Sequence, residues 1–146
     1  MEIGIELTIT NEYLESNYRD SDINDLENYL RESFAEKSYG ESVVKYFFGF
    51  ELYKFNGGFA QFFNNDIEKW LTKNKWFVTN AHFDWNHFIT LNPEEILNLI
   101  KVEFVKSIGR IENMKRKPKH FDYKSFQKDF EEVMNDYIIK NNSRQA

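Results

Sequence analysis

The sequence predicts a mostly α fold, a single compact helical domain, and three observations carry that prediction. Apolar residues recur at helical spacing in four separate stretches. Asn92-Pro93-Glu94-Glu95 combines a cap, a proline at the first helical position and acids in the first turn, which is a helix start. Strand-like alternation is confined to the N-terminus. The 146 residues suit one domain and can bury a core without disulfides. The domain is assigned to 1–140, with 141–146 as a disordered tail.

In chain order, Ile3, Ile5, Leu7 and Ile9 alternate with Glu2, Gly4, Glu6 and Thr8, the period of a half-buried strand. A lone strand needs a partner, so an irregular or helical lead-in is the competing reading. Ser21 or Asp22 caps a helix to about Tyr39, with Ile23, Leu26, Leu30 and Phe34 on one face and Gly40 as its stop. A second helix is expected over 41–55, with Val43, Val44, Phe47, Phe48, Leu52 and Phe55 facing inward. Asn56-Gly57-Gly58 is a tight turn, because glycine enters left-handed backbone space cheaply. Phe59, Phe62 and Phe63 follow on a short helix, and 67–73 adds a helical turn. Residues 76–91 read as a packed aromatic loop with Trp76, Phe77, Phe83, Trp85 and Phe88, with room for a short helix. The helix from Asn92 carries Ile96, Ile100, Phe104 and Ile108, and Gly109 could end it. A basic loop over 115–120 precedes a last helix, capped by Asp122, with Tyr123, Phe126, Phe130, Val133, Met134, Tyr137 and Ile138.

Composition narrows the function. Aromatic residues make up 18% of the chain, including 15 Phe, so the core is built from rings. A surplus of rings over what a small core absorbs would leave a sticky surface patch. There is no Cys, which excludes disulfides and thiolate chemistry. No signal peptide or membrane span is evident, so a cytoplasmic location is expected, with no membrane association. The net charge is −5, but it is polarised. Residues 1–41 hold eleven acids and three bases, whereas 101–128 hold nine bases and three acids. Two solvated helix faces would account for this. An acidic surface aimed at a basic partner is the sharper reading.

Candidate chemistry is sparse. His82, Asp84 and His87 could supply two imidazoles and a carboxylate to a metal, although their spacing aligns poorly on a helix. Packing of an aromatic loop explains them without a metal, and no metal or other cofactor is assigned. Gly57-Gly58 lacks the strand, the Lys-Ser/Thr pair and the acid that complete a phosphate loop. The bases of 115–119, with Lys124 and Lys128, read as a solvated loop in a protein of pI about 5.3; no direct nucleic-acid binding is expected.

The stretch Glu51, Asn56, Gly57, Gly58, Phe59, Gln61, Phe62, Phe63 and Asn64 resembles the signature of a bacterial DNA-mimic protein family. The resemblance covers residues 41–66. It implies a largely helical fold and a non-enzymatic role in which carboxylates spaced like DNA phosphates occupy a DNA-binding protein's site. The motif residues themselves are assigned to structure. The carboxylates available for such a role are Asp20, Asp22, Asp25, Glu27, Glu32 and Glu36, of which Asp25, Glu32 and Glu36 can share a helix face.

The leading expectation is therefore a protein-binding module that docks this acidic surface on a basic, DNA-binding partner. The alternative is an immunity or anti-defence protein that blocks a partner enzyme through an aromatic or acidic surface. A metal-dependent enzyme using His82, Asp84 and His87 is the second alternative, and a homodimer is compatible with all three.

Overall fold

Period-two alternation extends well beyond the N-terminus. In a computed structural model, which describes residues 1–11, 15–17, 21–40, 43–54 and 67–145, five strands form one mixed sheet. The strands are β1 (Glu2–Asn11), β2 (Glu15–Asn17), β3 (Lys45–Lys54), β4 (Ile67–Leu71) and β5 (Trp76–Asp84). Their spatial order is β2-β1-β3-β5-β4. The three central strands run parallel, and β2 and β4 pair antiparallel at the two edges. The helices are α1 (Ser21–Phe34), α2 (Trp85–Phe88), α3 (Pro93–Glu112) and α4 (Tyr123–Gln145).

The register aligns Ile3 with Tyr46 and Phe77, Ile5 with Phe48 and Thr79, and Leu7 with Phe50 and Ala81. All nine are buried, so they form one inner face. Onto it pack Leu26 and Leu30 of α1, Ile100, Phe104 and Ile108 of α3, and Phe126, Phe130 and Met134 of α4. Phe104 is the hub. Its ring stacks on Phe130 at 3.8 Å and lies 4.8 Å from Tyr46 and 5.1 Å from Phe48. The Tyr46 hydroxyl reaches the apolar layer with its polar need met, 2.5 Å from Ser107 Oγ.

The fold is therefore α/β, which corrects the mostly helical expectation. Residues 41–55 contain β3 rather than a helix, residues 67–73 contain β4, and the aromatic loop of 76–91 is strand β5 followed by the short α2. The N-terminal strand exists and runs for ten residues because β3 supplies its parallel partner. The cap at Asn92 is as expected: its side chain accepts from the Glu95 amide while Glu95 reaches back to the Asn92 amide. Helix α3 runs through Gly109 to Glu112. Gly40 serves a different purpose from a helix stop. Helix α1 ends at Phe34, and Gly40, at φ +124°, makes an isolated bridge to Phe121. A Cβ there would sit 1.8 Å from the His120 carbonyl oxygen. The Asn-Gly-Gly motif, from Asn56 to Asn64, lies outside the described residues.

Candidate functional site

Helix α1 turns Ile23, Leu26 and Leu30 into the core, and this orientation fixes where its acids point. Asp25 and Glu32, seven residues and about two turns apart, lie on the side toward α4. With Asn28 and Tyr29 of α1, and Tyr137, Lys140 and Asn141 of α4, they line a groove of about 190 Å³. The Tyr137 hydroxyl donates to Asp25 Oδ2 at 2.8 Å. The Tyr29 and Tyr137 rings meet at 5.0 Å. Lys140 Nζ sits 5.2 Å over the Tyr29 ring and donates to the Tyr29 hydroxyl at 3.2 Å. Glu32 is exposed and has no hydrogen bond or ion pair among the described residues.

The remaining acids of the expected surface divide. Glu36 is exposed just beyond the end of α1, equally unpaired among the described residues, and does not line the groove. Glu27 faces the sheet: its Oε2 accepts from the Ile5 amide at 2.8 Å and its Oε1 from Arg31 at 3.1 Å. It is part of the fold. Asp20 and the side chain of Asp22 lie outside the described residues. Spacing along α1 could find Asp25 and Glu32. Tyr137 and Lys140 escaped sequence reasoning because they join the groove only through the packing of α4 on α1.

A second polar cluster lies on the outer face of the sheet. Glu51 of β3 and His82 of β5 occupy paired register positions, and His82 Nε2 is 3.0 Å from Glu51 Oε2. The hydrogen bond from His82, aided by one from Tyr53, holds the Glu51 carboxyl below its ordinary value against the opposing effect of burial. The Tyr53 ring stacks on the imidazole at 5.2 Å. His82, Asp84 and His87 do not converge. Asp84 caps α2 through the Asn86 amide at 3.0 Å, and His87 packs against Phe83 at 5.3 Å. Among the described residues no three His, Cys, Asp or Glu side chains could hold a metal together. The three residues named for a metal enzyme therefore do not form a common site.

The aromatic residues of 76–88 are mostly structural. Phe77 and Phe88 are buried, while Phe83 and His87 line a shallow, mainly apolar groove of about 340 Å³ with Leu91, Leu99 and Val102. In the basic stretch Lys117 donates to the Glu112 carbonyl and lies over the Tyr123 ring, whereas Lys115, Arg116 and Lys119 are exposed. No helix among the described residues is long and apolar enough to cross a membrane.

Fold and groove together describe a small α/β domain with a polar groove formed by two helices. The family profile described as Immunity protein 44 matches residues 1–136, and the chain belongs to that family. No curated protein and no solved structure matched it significantly. The family match overturns the resemblance to DNA-mimic proteins. That resemblance rested on one short motif around the glycine pair, whereas the profile spans nearly the whole chain.

Proposed function

We propose that this chain is a non-enzymatic immunity protein that binds a protein toxin and holds it inactive. It docks through the exposed acidic side of α1, with Asp25, Glu32 and Glu36 as contacts. Membership of the Immunity protein 44 family supports the role. The observation that carries the choice of surface is a contrast among the acids of α1 and of the turn that follows it. Glu27 is consumed by the fold, while Glu32 and Glu36 keep carboxylates that no described residue uses. Unpaired exposed acids steer a basic partner and are then covered by it.

Co-expression with a panel of bacterial protein toxins tests the role: growth rescue and a stable complex on size-exclusion chromatography are expected with at least one. Charge reversal of Glu32 and Glu36 together should abolish rescue while the far-UV circular dichroism spectrum stays that of the parent. Full rescue by this variant would show that another surface binds. The second reading is favoured by the apolar groove at Phe83, Leu99 and Val102, where Val102 is 47% exposed. Salt separates the two: binding through α1 weakens as salt rises, and binding through the apolar groove does not.

A further inference from the structure

We infer that the groove between α1 and α4 is a socket for one arginine side chain of the toxin, and that Lys140 holds the Tyr29 ring contact in its stead in the free protein. This deepens the immunity reading and rests on it. The groove offers the two features a guanidinium seeks. The half-buried Tyr29, backed by the buried ring of Tyr137, presents aromatic surface, and Glu32 presents a carboxylate with no partner among the described residues. A guanidinium can stack on a ring while it makes paired hydrogen bonds to a carboxylate, which an ammonium cannot. The volume of about 190 Å³ also suits it, since one water in the liquid takes about 30 Å³.

Lys140 supplies an independent observation. Its ammonium already sits 5.2 Å over the Tyr29 ring, so the protein's own geometry places a cation in this groove. Its hydrogen bond there is to a neutral phenol, and it forms no ion pair with any described carboxylate. A cation held over a ring without neutralising the acid beside it is readily exchanged for one that does both. Lys140 is exposed near the C-terminal end of α4 and can swing into solvent without disturbing the core.

The test needs no toxin. The full chain is titrated with N-acetyl-arginine methylamide and followed by amide resonances in two-dimensional NMR. The neutral citrulline analogue serves as the isosteric control. Saturable shifts at Tyr29, Glu32, Tyr137 and Asn141, absent with citrulline, are expected. Glu32→Gln should weaken the arginine probe about threefold, and Lys140→Met should tighten it about threefold. Equal response to citrulline, no saturable shift, or indifference to Glu32→Gln would overturn the socket. The two readings fail separately: arginine binding without growth rescue by any toxin leaves the socket standing, and rescue without arginine binding removes the socket alone.

Discussion

Replacing Glu27 by alanine should cost about 2 kcal/mol of stability, and the reason lies in the length of β2. That strand pairs only with Thr8, Ile9 and Thr10 of β1. Among the described residues, the stretch of β1 before Thr8 therefore has β3 on one side and no strand neighbour on the other. The Ile5 amide points into that gap, and Glu27 reaches across from α1 to accept it at 2.8 Å. A hydrogen bond between a backbone amide and a charged acceptor is worth about 1.5–3 kcal/mol net, and an orphaned amide costs about 1–3 kcal/mol. The exposed pair with Arg31 adds no more than about 0.5 kcal/mol. For a chain of this size the loss of about 2 kcal/mol lowers Tm by about 4–8 °C. Glu27→Gln retains an acceptor and should lose about half as much. Urea denaturation monitored by circular dichroism, with Glu32→Ala measured in parallel, is the assay. Native-state hydrogen exchange at Ile5 adds a local readout. If Glu27→Ala and Glu32→Ala differ by less than about 0.5 kcal/mol, within the scatter of surface substitutions, the division between a structural and a free carboxylate is refuted.

Three further outcomes follow from the packing. Phe104→Ala should lower unfolding free energy by about 3–5 kcal/mol, because the ring is fully buried against Tyr46, Phe48 and Phe130; a loss under about 1 kcal/mol would mean the core refills the space. Gly40→Ala should cost about 3 kcal/mol in the same denaturation assay, since φ is +124° and the new Cβ would collide with the His120 carbonyl; an unchanged midpoint would contradict the close approach. The folded-state value of Glu51 lies below its ordinary 4.5, so its contribution is present above that pH and lost as pH falls through the lower folded value. Glu51→Gln should therefore be less stable than the parent at neutral pH, with the gap narrowing in acid denaturation curves below 4.5; a gap that stays constant would show that the His82 contact does not bind the charged form.

How much of this was legible in the sequence depended on which periodicity could be separated from its rival. Helices α1, α3 and α4 were legible because polar residues interrupt their apolar stripes and Asn92 caps one of them. Strand β3 was not. Its inner residues are Tyr46, Phe48, Phe50 and Leu52, but Phe47 on the outer face fills the gap, and Phe47, Phe48 and Leu52 also satisfy helical spacing. Aromatic enrichment and Gly49, which a side chain would push into Asn80, were the signals for a strand. Strand β5 hid for the opposite reason: Thr79 is buried on the inner face, satisfied by the Phe47 carbonyl, while Trp76 and Val78 look outward. The acids of α1 were legible as a set but not by role. Glu27 and Glu32 are chemically identical, and only the gap beside β1 and the presence of α4 assign one to the fold and the other to solvent.

The fate of the aromatic residues bears directly on how this protein recognises a partner. An aromatic fraction of 18% raised the prospect of a sticky ring-rich surface. Many of the described rings instead converge inward: Tyr46, Phe48, Phe50, Phe77, Phe104, Phe126 and Phe130 are all essentially inaccessible. The large apolar side chains that remain exposed among the described residues are Val44, Ile89, Val102 and Ile139, and none is aromatic. Most interface hot spots are Trp, Tyr or Arg in a desolvated pocket. Where the described surface offers few ring anchors, Tyr29, backed by Tyr137, gains weight, because it lies in a groove beside Glu32, whose carboxylate no described residue uses. In the proposed socket the arginine anchor comes from the partner. Such an interface gains on-rate from charge and lifetime from a single buried guanidinium, so salt should act first on association and Glu32→Gln first on dissociation. Stopped-flow association and dissociation rates across a salt series measure both, and equal effects of Glu32→Gln on the two rates would assign Glu32 to steering rather than to a seated contact.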